Sequence, residues 1–137
     1  MMNPALKRAQ LNREAILSAS PARLLTMLYD RLLVDLNRAE TAQLAAEWTV
    51  ASENLVHAQS IISELISSLN SDVWSGAKGL HSIYAFATQL LIDANIKRDA
   101  GLTRQAISLM EPLRQTWHEA ATAPVAPISG DGGIRIG

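Results

Sequence analysis

The stretch SASPARLLTMLYDRLL, residues 18–33, sets the interpretation of the whole chain. Ser20 before Pro21 favours a helix start, because the serine oxygen can accept from a free amide and proline's fixed φ suits the first helical position. Leu24, Met27 and Val34 share a side with charged residues, outside the main apolar stripe. The stretch therefore predicts an amphipathic helix with more apolar surface than one core face requires. The main stripe consists of Leu25, Leu28, Tyr29, Leu32, Leu33 and Leu36.

Composition limits the class of protein. The chain has 137 residues, of which 48% are hydrophobic, and this suffices for one domain with a core. Its 12 Lys and Arg against 13 Asp and Glu give no basic excess, so we expect no nucleic-acid partner. Cysteine is absent, which excludes a disulfide framework and a thiolate metal site.

The N-terminal residues and the hydropathy pattern bear on location. Lys7, Arg8 and Arg13 stand where a signal peptide would need an apolar region. No stretch approaches the roughly 20 apolar residues of a membrane span. We therefore expect a soluble protein of the cytoplasm with no membrane insertion.

The hydrophobic pattern is helical throughout, with no alternation of period two. A second helix follows the first, a third lies after Gly79, and a fourth begins after Asp99, a candidate N-cap. Their core positions repeat every three or four residues. These positions are Ala51, Leu55, Ala58, Ile62, Leu65 and Leu69 in the second helix, Leu80, Ile83, Ala87, Leu90 and Ala94 in the third, and Leu102, Ala106, Leu109, Leu113 and Trp117 in the fourth.

Breaks in the pattern define the organisation of this all-α chain. We place the first break near residues 45–48. The second is a loop from Asn70 through Gly76 and Gly79. The third is a turn at 97–99, and because it is short it implies that the helices it joins are antiparallel neighbours. Pro112 lies inside the fourth helix, where we expect a kink that faces solvent. We expect the bundle to occupy residues 20–122. A helical or extended segment, 1–19, precedes it, and a flexible tail, 123–137, follows.

Residues that could support catalysis or bind metal are poorly arranged. A di-metal bundle needs Glu-x-x-His pairs, and none occurs; Glu53 and His57 are the nearest approach. We interpret His57, His81 and His118 as solvated side chains. The sequence therefore predicts no catalytic residues, no metal site and no cofactor, and we do not expect an enzyme.

The surplus apolar residues are the candidate functional surface. The third helix carries a second line of residues opposite its core positions, and Val56 is an outlier on the second helix. One interpretation is that irregular packing covers them, or that residues 1–19, which begin well for a helix at Asn3-Pro4, lie over them. The sharper interpretation is an exposed groove that receives a partner's amphipathic helix. The candidate partner-binding residues are Leu24, Met27, Val34, Val56, Ala85, Gln89, Ile92 and Ile96.

Three segments resemble the bacterial flagellin export chaperones, the FliS family. The match consists of ASPARLLTMLYDRLL, NLVHAQSIISELISSLN and LLIDANIKRDAGLTRQAISLMEPLRQTWHEA, which occur in that order. The resemblance implies an antiparallel four-helix bundle in the bacterial cytosol. It also implies binding to the disordered C-terminal segment of flagellin, prevention of premature polymerisation, and delivery to a component of the flagellar type III export gate. Asp30 and Asn95 match family-typical positions. Three roles are open for them: helix capping, inter-helix hydrogen bonding and client contact.

An alternative from a different class is a structural helical bundle. In that case the extra apolar stripes would form a homo-oligomer, such as a homodimer, or a swapped dimer, because exposed apolar surface favours self-association. The oligomeric state in solution separates the two hypotheses.

Overall fold

The computed structural model describes residues 3–7, 21–69 and 76–122. Four long helices dominate this part of the chain, and no strand occurs among the described residues, so the predicted all-α class is confirmed. The predictions for residues 123–137, and for most of the segment 1–19, lie outside the described residues. The helices are α1 (Pro21–Leu44), α2 (Trp48–Ser68), α3 (Gly76–Ile96) and α4 (Ala100–Thr122).

A single helical turn is described within the N-terminal segment, at residues 4–7. The Ala5 amide donates to Oδ1 of Asn3 at 2.7 Å, and the Lys7 amide donates to the Asn3 carbonyl at 2.9 Å. Asn3 thus caps this turn, as the Asn3-Pro4 pair predicts.

The four helices form a ring in which α1 and α3 each pack against both α2 and α4. Ion pairs fix the relative direction of α1 and α4. Arg104, early in α4, donates to Glu40, late in α1, at 2.8 Å, whereas His118, late in α4, bonds Asp30, early in α1, at 2.7 Å. These neighbours are therefore antiparallel, and α1 and α3 lie diagonally across the core.

The core follows the predicted stripes in α1 and α2 closely. Side chains that are fully buried include Leu32 and Leu36 of α1 and Leu55, Ile62 and Leu65 of α2. Each such side chain stabilises the fold by about 1.5–3 kcal/mol relative to an exposed one. The core is therefore filled without any of the surplus apolar residues.

The two short turns end their helices in the same way. Ala46 adopts a left-handed φ of 57°, and the Glu47 amide donates to the Ala42 carbonyl at 2.8 Å. Arg98 has a φ of 53°, and the Asp99 amide donates to the Ala94 carbonyl at 3.0 Å. This bonding closes a helix without proline, usually with glycine at the left-handed position. The predicted break near 45–48 is confirmed.

The start of α3 differs from the prediction. The sequence pattern predicts a loop that includes Gly76 and Gly79, but both residues lie inside α3. Ala77 between them is fully buried, and Leu80 packs against the core. Tertiary packing of these side chains overrides the weak helix propensity of glycine.

The fourth helix begins where it was predicted, but its buried face is rotated. The Gly101 amide donates to Asp99 Oδ1 at 2.8 Å, so Asp99 is the N-cap. Predicted core residues such as Leu109 and Trp117 are only half-buried, and they pack against the core from the side. Pro112 is exposed, as predicted, within a continuous helix; the kink there stays a prediction. The buried residues of α4 are Thr103, Ala106, Ile107 and Met110.

A buried polar network closes the end of the bundle that carries both short turns, which we call the turn end. The amide of Gln43 donates to the Ala94 carbonyl at 3.1 Å, and its oxygen accepts from the Thr103 hydroxyl at 2.6 Å. These bonds tie α1 to α3 and α4. We call the opposite end, where α1 and α3 begin, the open end.

Candidate partner-binding surface

The structure leaves all eight predicted partner-binding residues at least partly exposed. Val34, Val56 and Ile96 are 40%, 55% and 76% exposed, respectively. Leu24, Ala85 and Gln89 are also exposed, and Met27 and Ile92 are half-buried. None of the eight belongs to the buried core.

These residues do not form one surface. Leu24, Met27 and Val34 belong to α1, and the others belong to α2 and α3. Because α1 and α3 are diagonal in the ring, the α1 residues and the α3 line face opposite sides of the bundle. The single groove suggested by the sequence is therefore divided into separate surfaces.

The α2 and α3 residues lie on neighbouring helices of the ring. The amide of Asn95 donates to the Ser52 hydroxyl at 3.2 Å and fixes the antiparallel register. Val56 and Ile92 each lie about one turn from this bond, so they stand at similar heights on adjacent helices. A cleft of about 780 Å³ opens here at the turn end. We call it the α2–α3 groove; its lining includes Trp48, Ser52, Glu53, Val56, Asn95 and Arg98.

Smaller clefts flank α1. Leu24 lines a cleft of about 440 Å³ between α1 and α2 at the open end, together with Leu28. Val34 lines a cleft of about 520 Å³ between α1 and α4, beside Arg38 and Arg114. The other predicted residues, Met27, Ala85, Gln89, Ile92 and Ile96, line none of these clefts. The four on α3 form a strip on its outer face, opposite its core positions.

The sequence interpretation missed an apolar cleft between α3 and α4. This cleft of about 470 Å³ lies at the open end, between Leu80 and Ile83 on one side and Leu113 and Trp117 on the other. The sequence pattern predicts all four as core positions. Gly79 also lines the cleft, and a side chain added there would meet nothing within 4 Å. Glycines three residues apart on one helix face are the signal that could have indicated it.

Two of the three histidines bond acidic side chains while remaining partly exposed to solvent, as their interpretation as solvated side chains implies. His57 Nδ1 bonds Asp35 of α1, a carboxylate that is fully buried. His118 bonds Asp30, which also pairs with Arg114 at 3.2 Å. Their ring nitrogens could not be matched to acids from sequence because the partners lie 22 and 88 residues away.

The fully buried Asp35 was not singled out in the sequence. Arg31 Nε lies 3.2 Å from its Oδ1, in ion-pair contact although the geometry is too poor for a hydrogen bond. His57 holds its other oxygen. A buried carboxylate needs such partners to offset its lost hydration. This cluster therefore joins α1 to α2 structurally.

The two family-typical polar residues also bond within the bundle. Asp30 joins α1 to α4 through Arg114 and His118, and Asn95 joins α3 to α2 through Ser52. Inter-helix bonding, one of the roles left open, is confirmed for both residues.

Within residues 3–7, 21–69 and 76–122, no group of three or more histidine and acidic side chains could hold a metal ion. No helix in the same residues is both long and apolar enough for a membrane crossing. The chemistry available on this surface is apolar contact, with scattered charges at the cleft rims.

Together these features define a small antiparallel four-helix bundle with apolar side chains left on its surface and clefts between neighbouring helices. Residues 2–124 match the family described as "Flagellar protein FliS". The "Flagellar secretion chaperone FliS" of Bacillus subtilis (strain 168) is 30% identical over 122 residues, which cover 89% of this chain and 91% of that protein. The chain belongs to the FliS family and is a flagellar export chaperone, in a family of chaperones rather than enzymes.

Proposed function

We propose that this chaperone binds the disordered C-terminal segment of flagellin in the bacterial cytoplasm. Binding keeps flagellin from polymerising prematurely, and the complex is delivered to a component of the flagellar type III export gate. The observation that carries the proposal is the outer strip of α3, above all the exposed apolar side chain of Ile96, on a bundle whose core is complete without it.

Energetics favour an extended contact over a single anchor. Ordering a disordered segment costs about 2–5 kcal/mol or more, whereas one buried isoleucine or leucine contributes about 1.5–3 kcal/mol. A client therefore needs several anchors. Val56, Ile92 and Ile96 supply a set on one side of the bundle, and Leu24 and Val34 supply another.

The division of the surface supports a client that wraps the bundle. A single straight helix reaches only one side, but a disordered segment can fold into several pieces joined by extended chain. We propose that such pieces occupy the side of α2 and α3 and the side of α1. We also propose that the bundle, residues 20–122, is the binding unit and that residues 1–19 act as a cap over its surface when no client is present.

Titration of labelled flagellin into the full-length chaperone tests the proposal. Intact flagellin should form a one-to-one complex, and flagellin that lacks its C-terminal segment should not. Equal binding of both forms would contradict the assignment of the client segment. Sedimentation at micromolar concentration distinguishes the alternative, because a tight homodimer indifferent to flagellin would indicate a structural bundle.

A further inference from the structure

We propose that Arg98, at the turn end of the α2–α3 groove, binds the C-terminal carboxylate of the client chain. The inference rests on the proposed function and adds a direction to it: the client's last helix lies in the groove with its C-terminus at the turn end.

Arg98 is a cation without an acidic partner in the described part of the chain. Its guanidinium carbon lies 5.1 Å from the ring centroid of Trp48, in a cation–π contact. By contrast, Arg31, Arg104 and Arg114 each pair with a carboxylate. Arg98 is thus available for an anion, and stacking on the indole leaves its planar donors free for bidentate bonds.

The position of Arg98 reduces the cost of ordering it. Its backbone is fixed by the bonds that end α3, including the amide bond of Asp99 to Ala94. Its side chain is held over Trp48, the first residue of α2. A donor that is held in place loses less conformational entropy on binding than a free surface arginine.

The groove combines this cation with apolar and polar walls. Val56 offers an apolar contact for the last side chain of a peptide, and Ser52 and Asn95 lie nearby in the lining. Glu53 on α2 lines the same groove and disfavours a carboxylate placed beside it, so the favourable anion position is at Arg98. A helix that ends there also places the negative end of its dipole at the guanidinium.

The test uses a synthetic peptide of the cognate flagellin's C-terminal segment, prepared with a free carboxylate and with a C-terminal amide. Calorimetry measures both peptides against wild type, Arg98→Gln and Lys97→Gln. Amidation should weaken binding to wild type about three- to tenfold, a range suited to a charge-assisted contact at a part-exposed site. Amidation should not change the affinity of the peptide for Arg98→Gln. Lys97→Gln removes the same charge one residue away and should keep the wild-type response.

A second variant at the same position distinguishes loss of the cation from a folding defect. Arg98→Gly removes the cation and suits the left-handed backbone, so it should fold at least as well as wild type and also lose the response to amidation. Equal binding of the two peptides to wild type, or a persistent amidation effect in both Arg98 variants, would overturn the inference while leaving the proposed function intact. If wild type binds neither the peptides nor intact flagellin, both fail.

Discussion

The hydroxyl groups of Tyr29 and Tyr84 lie 2.5 Å apart in the buried centre of the bundle, where they join the diagonal helices α1 and α3. The ring centroids are 6.4 Å apart with planes inclined by 53°. The two hydroxyls bond each other within an apolar interior, and Tyr29 also bonds Trp117 of α4. The pair therefore fixes how the two diagonal helices approach each other.

Removal of one hydroxyl should destabilise the bundle because the other, still buried, loses the bond that joins α1 to α3. We expect Tyr84→Phe to lower the free energy of unfolding by about 1–3 kcal/mol. The double variant Tyr29→Phe/Tyr84→Phe should lose less than the sum of the two single variants. Urea unfolding monitored by circular dichroism measures this, and strict additivity would mean that the hydroxyls do not interact.

The same pair makes stability depend on alkaline pH. Burial raises the pKa of Tyr29 and of Tyr84 above the ordinary value of 10.0. Their shared hydrogen bond raises the pKa of Tyr29 further and offsets part of the rise in the pKa of Tyr84, and a hydrogen bond with Trp117 lowers the pKa of Tyr29. Because the folded state holds these protons more tightly, stability is fully present below pH 10 and is lost as pH rises above it. Only two tyrosines occur in the chain, so near-ultraviolet tyrosinate absorbance reports this pair alone. Titration of both at the ordinary pKa in the folded protein would contradict the prediction.

Ala46→Gly should stabilise the protein. Ala46 has a φ of 57°, a conformation that is strained for alanine and unstrained for glycine. We expect a gain of about 0.5–1 kcal/mol in thermal or urea unfolding. The matched control is Ala45→Gly: this exposed neighbour does not have a positive φ, and glycine there should be destabilising. Stabilisation by both changes would point to an effect unrelated to the left-handed backbone.

His57→Ala should destabilise the bundle by about 1–3 kcal/mol, because the buried carboxylate of Asp35 loses a hydrogen-bond donor. Exposed His81 provides the control, and His81→Ala should change stability by less than about 0.5 kcal/mol. Denaturant unfolding of both variants at one pH measures the difference. Equal small effects would show that Arg31 alone satisfies the carboxylate.

Ile96→Asp should weaken flagellin binding about tenfold or more, since it replaces an apolar anchor by a charge. Thermal unfolding should hardly change because Ile96 is 76% exposed. Ile92→Asp should also weaken binding, with a larger cost in stability since Ile92 is half-buried.

Phe86→Asp is the matched control for these two changes. Phe86 is 57% exposed on the same helix but lies outside the predicted surface, so its substitution should leave the affinity near that of wild type. Unfolding of the bundle by Ile96→Asp, or equal loss of affinity in the Phe86 variant, would place the binding surface elsewhere.

Much of the fold could be predicted from the sequence because helical periodicity records which side of each helix is buried. The stripe through Tyr29, Leu32 and Leu36 and the positions from Ala51 to Leu65 are core in the structure. The same periodicity indicated that Val34, Val56 and Ile96 fall outside the core. Local capping chemistry placed the start of α4 at Asp99.

The errors in the prediction share one cause. Gly76 and Gly79 have low helix propensity, but α3 includes them because Ala77 and Leu80 pack on the core. The partners of His57 and His118 depend on the register between helices, which no local pattern contains.

By itself, the sequence determined four helices, their buried faces and a surplus of apolar side chains, because these depend on spacing along one helix. Tertiary structure decided how that surplus is distributed. The order of helices in the ring puts α1 and α3 on opposite sides, and the Asn95–Ser52 register sets Val56 of α2 level with Ile92 of α3. Contacts between helices depend on positions far apart in the chain, so only the packed bundle assigns them.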